Sequence, residues 1–268
     1  MRTEKEVRDV LAKPEVHDLW NQRYHTPENE RFFDLAFDVI AAEFRANADD
    51  VVLDVGSGPG HHTLRLVRRG FRVEAIDFSD TVIQEARGRL EASGFADRVV
   101  LKKGDVTQLS YPDEAFSSIL CWGVLMHVPE ARKAIAELCR VLKKGGTIVL
   151  GENNGFSLQS RTWRSLQKLR RRAEVATVLR KPEGIEKWKQ YDAGLLLTRE
   201  FDNQWLIREF ESHGLRLTSF RARQFTEMFV MVPSAALRKL IHRFNYFWFQ
   251  YVKSPRLSQG TLLVFRKA

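Results

Sequence analysis

Residues 51–70 read VVLDVGSGPGHHTLRLVRRG, and the order of residue types in this stretch decides the fold. Val51–Val55 is an apolar run broken only by Asp54, glycines follow at 56, 58 and 60, and helical spacing then runs from His61 to a stop at Gly70. Strand, glycine turn and helix in that order form a ligand cradle, because glycine lets backbone approach closely and the helix start offers unpaired N–H groups. The dinucleotide fingerprint Gly-x-Gly-x-x-Gly is not met, since its third glycine would fall at His61. Charge narrows the ligand further. A carboxylate at Asp54, just ahead of the loop, repels a pyrophosphate and pairs with an ammonium group, so a ligand carrying a cationic amine is expected.

Outward from this stretch, strand-length apolar runs alternate with helical patterns. FRVEAID (71–77), RVVLKKGD (98–105), FSSILCW (116–122) and TIVLGE (147–152) read as four further strands. Ser79 is a good N-cap for a helix to about Ser93, and a helix over 129–144 begins at Pro129 and stops at Gly145-Gly146. Strands joined by helical crossovers predict a parallel sheet covered on both faces, with ligands beyond the carboxyl ends of the strands. A helix from Phe201 to Ser212 and strands at 215–223 and 260–267 complete the pattern. Residues 1–45 read as a helical cap, broken near Thr26-Pro27, before a domain over 46–268. Connections at about 153–200 and 224–259 are too long for simple loops and are read as substrate-side insertions.

VLDVGSGPG resembles motif I of the class I S-adenosylmethionine-dependent methyltransferases, small-molecule type. AIDFS (75–79), GDVTQL (104–109), FSSILCWGVLMHV (116–128) and LKKGGTIVL (142–150) resemble the later segments of that family, in order. The resemblance covers residues 45–152 and, more loosely, 201–222 and 260–267. It implies a Rossmann-like, doubly wound α/β fold: a seven-stranded sheet, mostly parallel with an antiparallel last strand, and helices on both faces. It implies S-adenosyl-L-methionine as cofactor. Asp54 with Gly56, Ser57 and Gly58 would hold the methionine portion. Asp77, 21 residues after Gly56, is close to the ~20 at which a carboxylate meets ribose in analogous folds. Phe78 would pack on adenine, Asp105 and the Val106 N–H would bond its edge, and the Cys121 carbonyl with Trp122 would border the methionine end.

A sulfonium leaves as a neutral thioether, so the protein needs alignment more than acid catalysis. His127, just past the fourth strand, is the candidate base, with Tyr24 as its partner in the manner of some small-molecule members. His61-His62 reads as a helix N-terminal pair rather than a metal pair, since adjacent helix positions face different directions. Strand four ends in Cys121-Trp122 and Glu152 alone is a poor donor set, so no metal is expected. Glu152, Asn153 and Asn154 read as polar groups facing the substrate.

Composition is that of a globular protein, 44% hydrophobic and 29% charged, with two cysteines that form no disulfide framework. The N-terminus lacks a signal-peptide core and no apolar run approaches membrane-spanning length, so a cytoplasmic location is expected. The net charge of +9 is uneven: residues 1–154 carry −4, 155–190 carry +7, 191–214 carry −3 and 215–268 carry +9. Residues 158–181 read as a basic amphipathic helix with Leu158, Trp163, Leu166, Leu169 and Ala173 in line. Residues 236–252 read as a second helix, with Leu237, Leu240, Ile241, Phe244, Trp248 and Tyr251 on one stripe. These helices are expected to pack on the domain as lids or to wall a bulky acceptor. The expectation is methyl transfer to oxygen or nitrogen of a small or lipid-like, anionic acceptor, with peripheral membrane contact compatible with the basic helices. The alternative is an RNA or protein methyltransferase using the basic insertions, but no appended nucleic-acid module is present, so nucleic acid is not the favoured partner.

Overall fold

A computed structural model of the chain describes residues 4–44, 50–169, 175–191 and 194–268. Three helices open it: α1 (Glu4–Leu11), α2 (Pro14–Tyr24) and α3 (Pro27–Phe44). Pro14 and Pro27 each sit at a first helical position, where the missing N–H costs nothing. The alternating region follows as β1 (Val51–Val55), α4 (His61–Arg68), β2 (Arg72–Asp77), α5 (Asp80–Ala92), β3 (Val99–Lys103), β4 (Phe116–Trp122), α6 (Ala131–Val141) and β5 (Leu142–Asn153). The Ser79 hydroxyl accepts from the Val82 N–H at 3.4 Å, so the expected cap is present. The chain closes through α7 (Leu158–Leu169), β6 (Val175–Lys181), β7 (Gly184–Tyr191), β8 (Gly194–Phe201), α8 (Asn203–Ser212), β9 (Leu215–Ala222), α9 (Ala235–Phe247), a wide helical turn at Trp248–Val252, and β10 (Gly260–Lys267).

Seven strands form one sheet in the order β3-β2-β1-β4-β5-β10-β9. Pairing is parallel from β3 to β5, while β10 runs antiparallel to both β5 and β9. The order reverses between β1 and β4, which opens a crevice at the carboxyl ends of those two strands. Strand alternation divides the core. Leu53, Val55, Ile119, Leu150 and Phe265 point to the side covered by α6 and α8. Val52, Leu120, Val149 and Leu262 point to the side covered by α3, α4 and α5.

Two elements depart from the sequence reading. The helix expected over 129–144 ends at Val141, and β5 starts at Leu142. Leu142 pairs with Phe116, the register then slips, and the surplus residues bulge out through Gly145, whose φ of +74° suits glycine. The second departure is larger. The helix expected over 158–181 stops at Leu169, Ala173 lies outside the described residues, and 175–181 is a strand, as its Val-Ala-Thr-Val-Leu run favours. With β7 and β8 it forms a separate antiparallel sheet, β6-β7-β8. Val7, Val10, Leu11 and Val16 of α1 and α2 pack against Trp188, Leu196 and Leu197 of that small sheet. The N-terminal cap and the first insertion therefore form one roof over the crevice.

Candidate functional site

Two cavities meet at the carboxyl ends of β1 and β4. The first, about 230 Å³, is lined by the glycine loop, Asp77, Phe78, Asp105 and Val106, and by Val7, Arg8 and Leu11 of α1. The second, about 280 Å³, is lined by Tyr24, Asn153, Lys189, Arg223 and Glu227 among others. Six residues line both: Trp20, His25, His62, Trp122, Gly123 and His127. They form a collar, rich in imidazole and indole, between the two spaces.

The loop is shaped by backbone demands. Gly56 has φ +63°, and a Cβ there would lie 2.5 Å from Val124 Cγ2, so no side chain fits. The Ser57 N–H donates to the Ile76 carbonyl at 3.0 Å, and the Gly58 N–H donates to Asp77 Oδ2 at 3.0 Å. Asp77 Oδ1 accepts from the Ser79 N–H at 3.1 Å. Burial pushes the Asp77 carboxyl up, and these bonds oppose it. Its carboxylate has further acceptor capacity on the cavity side.

At the far end of the same cavity, Asp105 Oδ1 accepts from the Thr107 N–H and hydroxyl, both at 2.8 Å, and Oδ2 pairs with Arg8. Burial alone would raise this carboxyl; Arg8 and Thr107 together hold it below its ordinary value. Phe78 packs toward α1 and α2 while lining the cavity.

Gly56, Ser57, Gly58, Asp77, Phe78, Asp105, Val106, Trp122 and His127 thus all line the first cavity. Two expected residues do not. The strand period that sends Leu53 and Val55 to one face sends Asp54 to the other, beneath α4, where it is buried and accepts the Thr63 hydroxyl at 2.6 Å. Burial pushes its carboxyl up to about 7. The Cys121 side chain turns into the core under α6 and α8 and is fully buried, its thiol raised by that burial, which leaves only its backbone carbonyl for the expected role. Asp54 supports the loop from behind rather than facing the cavity.

His127 Nδ1 lies 2.6 Å from the Leu197 carbonyl of β8. A carbonyl only accepts, so Nδ1 carries the proton and Nε2 keeps its lone pair. Burial pushes this imidazole down to about 4, and Trp20 stacks on it at 5.2 Å. Tyr24 lines the second cavity with His127, but its hydroxyl donates to Glu227 at 3.4 Å rather than serving the histidine. The negative Glu227 and burial raise Tyr24 well above the ordinary phenol value, so it remains a donor.

Several wall residues carried no local signal. Glu227 lies 203 positions from Tyr24, and Arg223 bonds Asn153 Oδ1 at 2.9 Å across 70 positions. His62, read as a helix-end residue, is half-buried and packs among Phe37, Trp122 and Phe33; desolvation pushes it well below its ordinary value, and its Nδ1 has no hydrogen-bond partner. Of the polar trio Glu152-Asn153-Asn154 at the end of β5, Asn153 alone lines the second cavity. Glu152 is fully buried beneath the Leu125 N–H, and Asn154 bonds the Phe156 N–H and nearby backbone.

Among the described residues, His25, Glu30 and His61 bring one ligand atom each within 4.8 Å. The His25 and His61 rings are stacked 3.5 Å apart at 15°, so their in-plane lone pairs run in nearly parallel planes and do not converge on one ion. Glu30 is also paired with Arg65, which opposes a second cation. The arrangement suits a hydrogen-bonded cluster better than a metal.

Residues 52–146 match the family profile described as "Methyltransferase domain". Over 105 residues the chain is 37% identical to a demethylmenaquinone methyltransferase of Clavibacter sepedonicus, covering 39% of this chain and 42% of that one. Over 99 residues it is 34% identical to a phosphatidylethanolamine N-methyltransferase of Cereibacter sphaeroides, covering 37% and 48%. The chain therefore spans less than half the length of these two relatives. Its fold is similar to that of geranyl diphosphate C-methyltransferase from Streptomyces coelicolor A3(2), solved with Mg2+, geranyl diphosphate and S-adenosyl-L-homocysteine. That comparison has a TM-score of 0.58 at 15% identity and covers 91% of this chain and 86% of the other.

Proposed function

We propose that this chain, a member of the class I S-adenosylmethionine-dependent methyltransferases, moves a methyl group to oxygen or nitrogen of a small or lipid-like acceptor. The observation that carries this reading is the collar: two cavities joined through Trp20, His25, His62, Trp122, Gly123 and His127. A two-substrate transfer needs such an arrangement, with donor and acceptor held apart except at the reacting atoms.

The first cavity suits S-adenosyl-L-methionine. Asp77 takes ribose hydroxyls on its remaining lone pairs, Asp105 and the Val106 N–H serve the adenine edge beside Phe78, and the glycine loop accommodates the methionine carboxylate. Bound there, the cofactor supplies an electrophilic methyl carbon on a sulfonium. His127 accepts the acceptor's proton at Nε2, oriented by its Nδ1–H bond to Leu197 and by Trp20. Trp122, packed by Phe37 and His62, walls the collar and excludes water. The second cavity carries both signs of charge. Lys187, Lys189 and Arg223 line it with Glu200 and Glu227; Lys187 pairs with Glu200, as does Arg164 from outside the lining, and Arg223 pairs with Glu227. That surplus favours an acceptor with an anionic group. The roof of α2, β7 and β8 over this cavity favours a small molecule over RNA or protein, and peripheral membrane contact belongs to the same reading.

Asp77→Ala tests the donor side. Losing hydrogen bonds to a charged partner, worth ~1.5–3 kcal/mol, is expected to weaken cofactor binding by about 10- to 150-fold in calorimetry; wild-type affinity would remove the ribose assignment. For the acceptor, the chain is incubated with methyl-labelled S-adenosylmethionine and a cell extract. Label is expected in organic-soluble or small-molecule fractions. Label confined to RNA or protein would overturn the proposal.

A further inference from the structure

The second insertion ends in a helix whose apolar stripe points the wrong way for a lid. Leu237, Leu240, Phe244, Phe247 and Tyr251 follow one another at spacings of three and four, which places them on one face. That face is open: the five residues are 46%, 61%, 42%, 51% and 70% exposed. Within α9, Asn245 alone is buried. The stripe was expected to pack on the domain or wall the acceptor. Instead the helix is anchored from its other side, where Asn245 bonds both backbone groups of Thr226 and Trp248 packs on Phe225. The apolar surface continues onto the neighbouring segment, where the Leu158 N–H donates to the Arg256 carbonyl at 3.3 Å and Phe156 and Leu158 are exposed.

We infer that the outward face of α9 and its following turn docks on an anionic lipid surface. Charge selects this occupant. Between Met228 and the C-terminus there are seven basic and no acidic residues. By helical spacing, Arg243 and then Lys239 flank one side of the stripe, and both are exposed, as are Lys253 and Arg256 beyond it. A second copy of the chain seated on the stripe would bring the same cations against each other, and α9 carries no carboxylate to offset them. A surface of anionic headgroups meets those cations while the acyl boundary receives the leucines and aromatics. No described helix is long and apolar enough to cross a membrane, so the contact is interfacial.

The docked face also connects to the second cavity. His242 of α9 packs on Phe229 at 4.4 Å, and Phe229 packs edge-on against Tyr24, which lines that cavity. Docking therefore sets the acceptor side near the lipid. This delivery step rests on the lipid-like acceptor reading above; the docking itself does not, and its measurement involves no turnover.

The test is co-sedimentation of the full chain with phosphatidylcholine vesicles, with and without phosphatidylglycerol. Binding is expected on the anionic vesicles, falling as salt is raised. Leu240→Glu with Phe247→Glu is expected to lower the bound fraction at least tenfold, with an unchanged melting curve because both side chains are exposed. Lys239→Glu with Arg243→Glu, which leaves the apolar stripe intact, is expected to do the same. Absence of binding to anionic vesicles, equal binding to neutral ones, or binding that survives both double variants would overturn the inference. So would a self-association of the free chain that the Leu240 and Phe247 changes abolish.

Discussion

His127→Ala is expected to lower methyl transfer into the fraction that the wild-type chain labels by about 10²- to 10⁴-fold, the usual range for losing a positioned general base. Cofactor affinity should fall much less, because Asp77, Asp105 and the glycine loop are untouched. The pH profile separates a base from a packing residue. With the imidazole held near 4 by burial, its neutral form is the proton acceptor at every pH above that value. Activity should be flat from neutral pH down and fall only as acid protonates Nε2. A wild-type acid limb near 4 that disappears in His127→Ala identifies the histidine as the base. Unchanged turnover across pH would reduce it to a residue that fills space beneath Trp20.

The other large effect is expected in stability. Arg199 is fully buried on β8, donating to the carbonyls of Val128 at 2.8 Å and Pro129 at 3.1 Å and to Glu186 at 2.6 Å. Arg199→Leu leaves those two carbonyls, the Leu125 carbonyl at 3.4 Å and a buried carboxylate without that donor. Removing one partner of a buried pair costs ~3–5 kcal/mol. Glu186 retains Lys181 at 3.0 Å, which draws the expected value toward the lower end. About 3 kcal/mol lowers the melting temperature by roughly 6–12 °C in a domain of this size. Chemical denaturation measures it directly, and a loss under about 1 kcal/mol would mean that water replaces the guanidinium. Adding Glu186→Leu should recover part of the loss, because the unpaired carboxylate is then gone as well. Arg199 also ties β8 to the turn that carries His127, so turnover should fall further than stability alone explains.

The main sheet was legible because its signals are local. Apolar runs, a glycine turn and a serine cap each declare themselves within a few residues, and the crevice follows from their order. Asp54 shows the limit. It lies on the expected strand, yet side-chain direction is set by strand parity relative to a core that a motif does not display. The β6-β7-β8 sheet escaped because the basic helical pattern that begins at Leu158 reads on through β6, and β7 and β8 fall in a connection with no turn signal that reads as a hairpin. Glu227, Arg223 and the inward orientation of His62 depend on contacts between segments far apart in the chain. Of the stripe expected on α9, Leu237, Leu240, Phe244 and Tyr251 share the exposed face, joined by Phe247, while Trp248 packs inward on Phe225; spacing alone does not say which way a face turns.

The hydrogen bonds from Gly58 to Asp77 and from Ser57 to Ile76 have a kinetic consequence. They fix the loop before anything arrives, so its ordering entropy was surrendered when the chain collapsed and is not demanded again at encounter. Association at this half of the crevice should resemble docking onto a finished surface, with little remodelling of the β1–α4 junction.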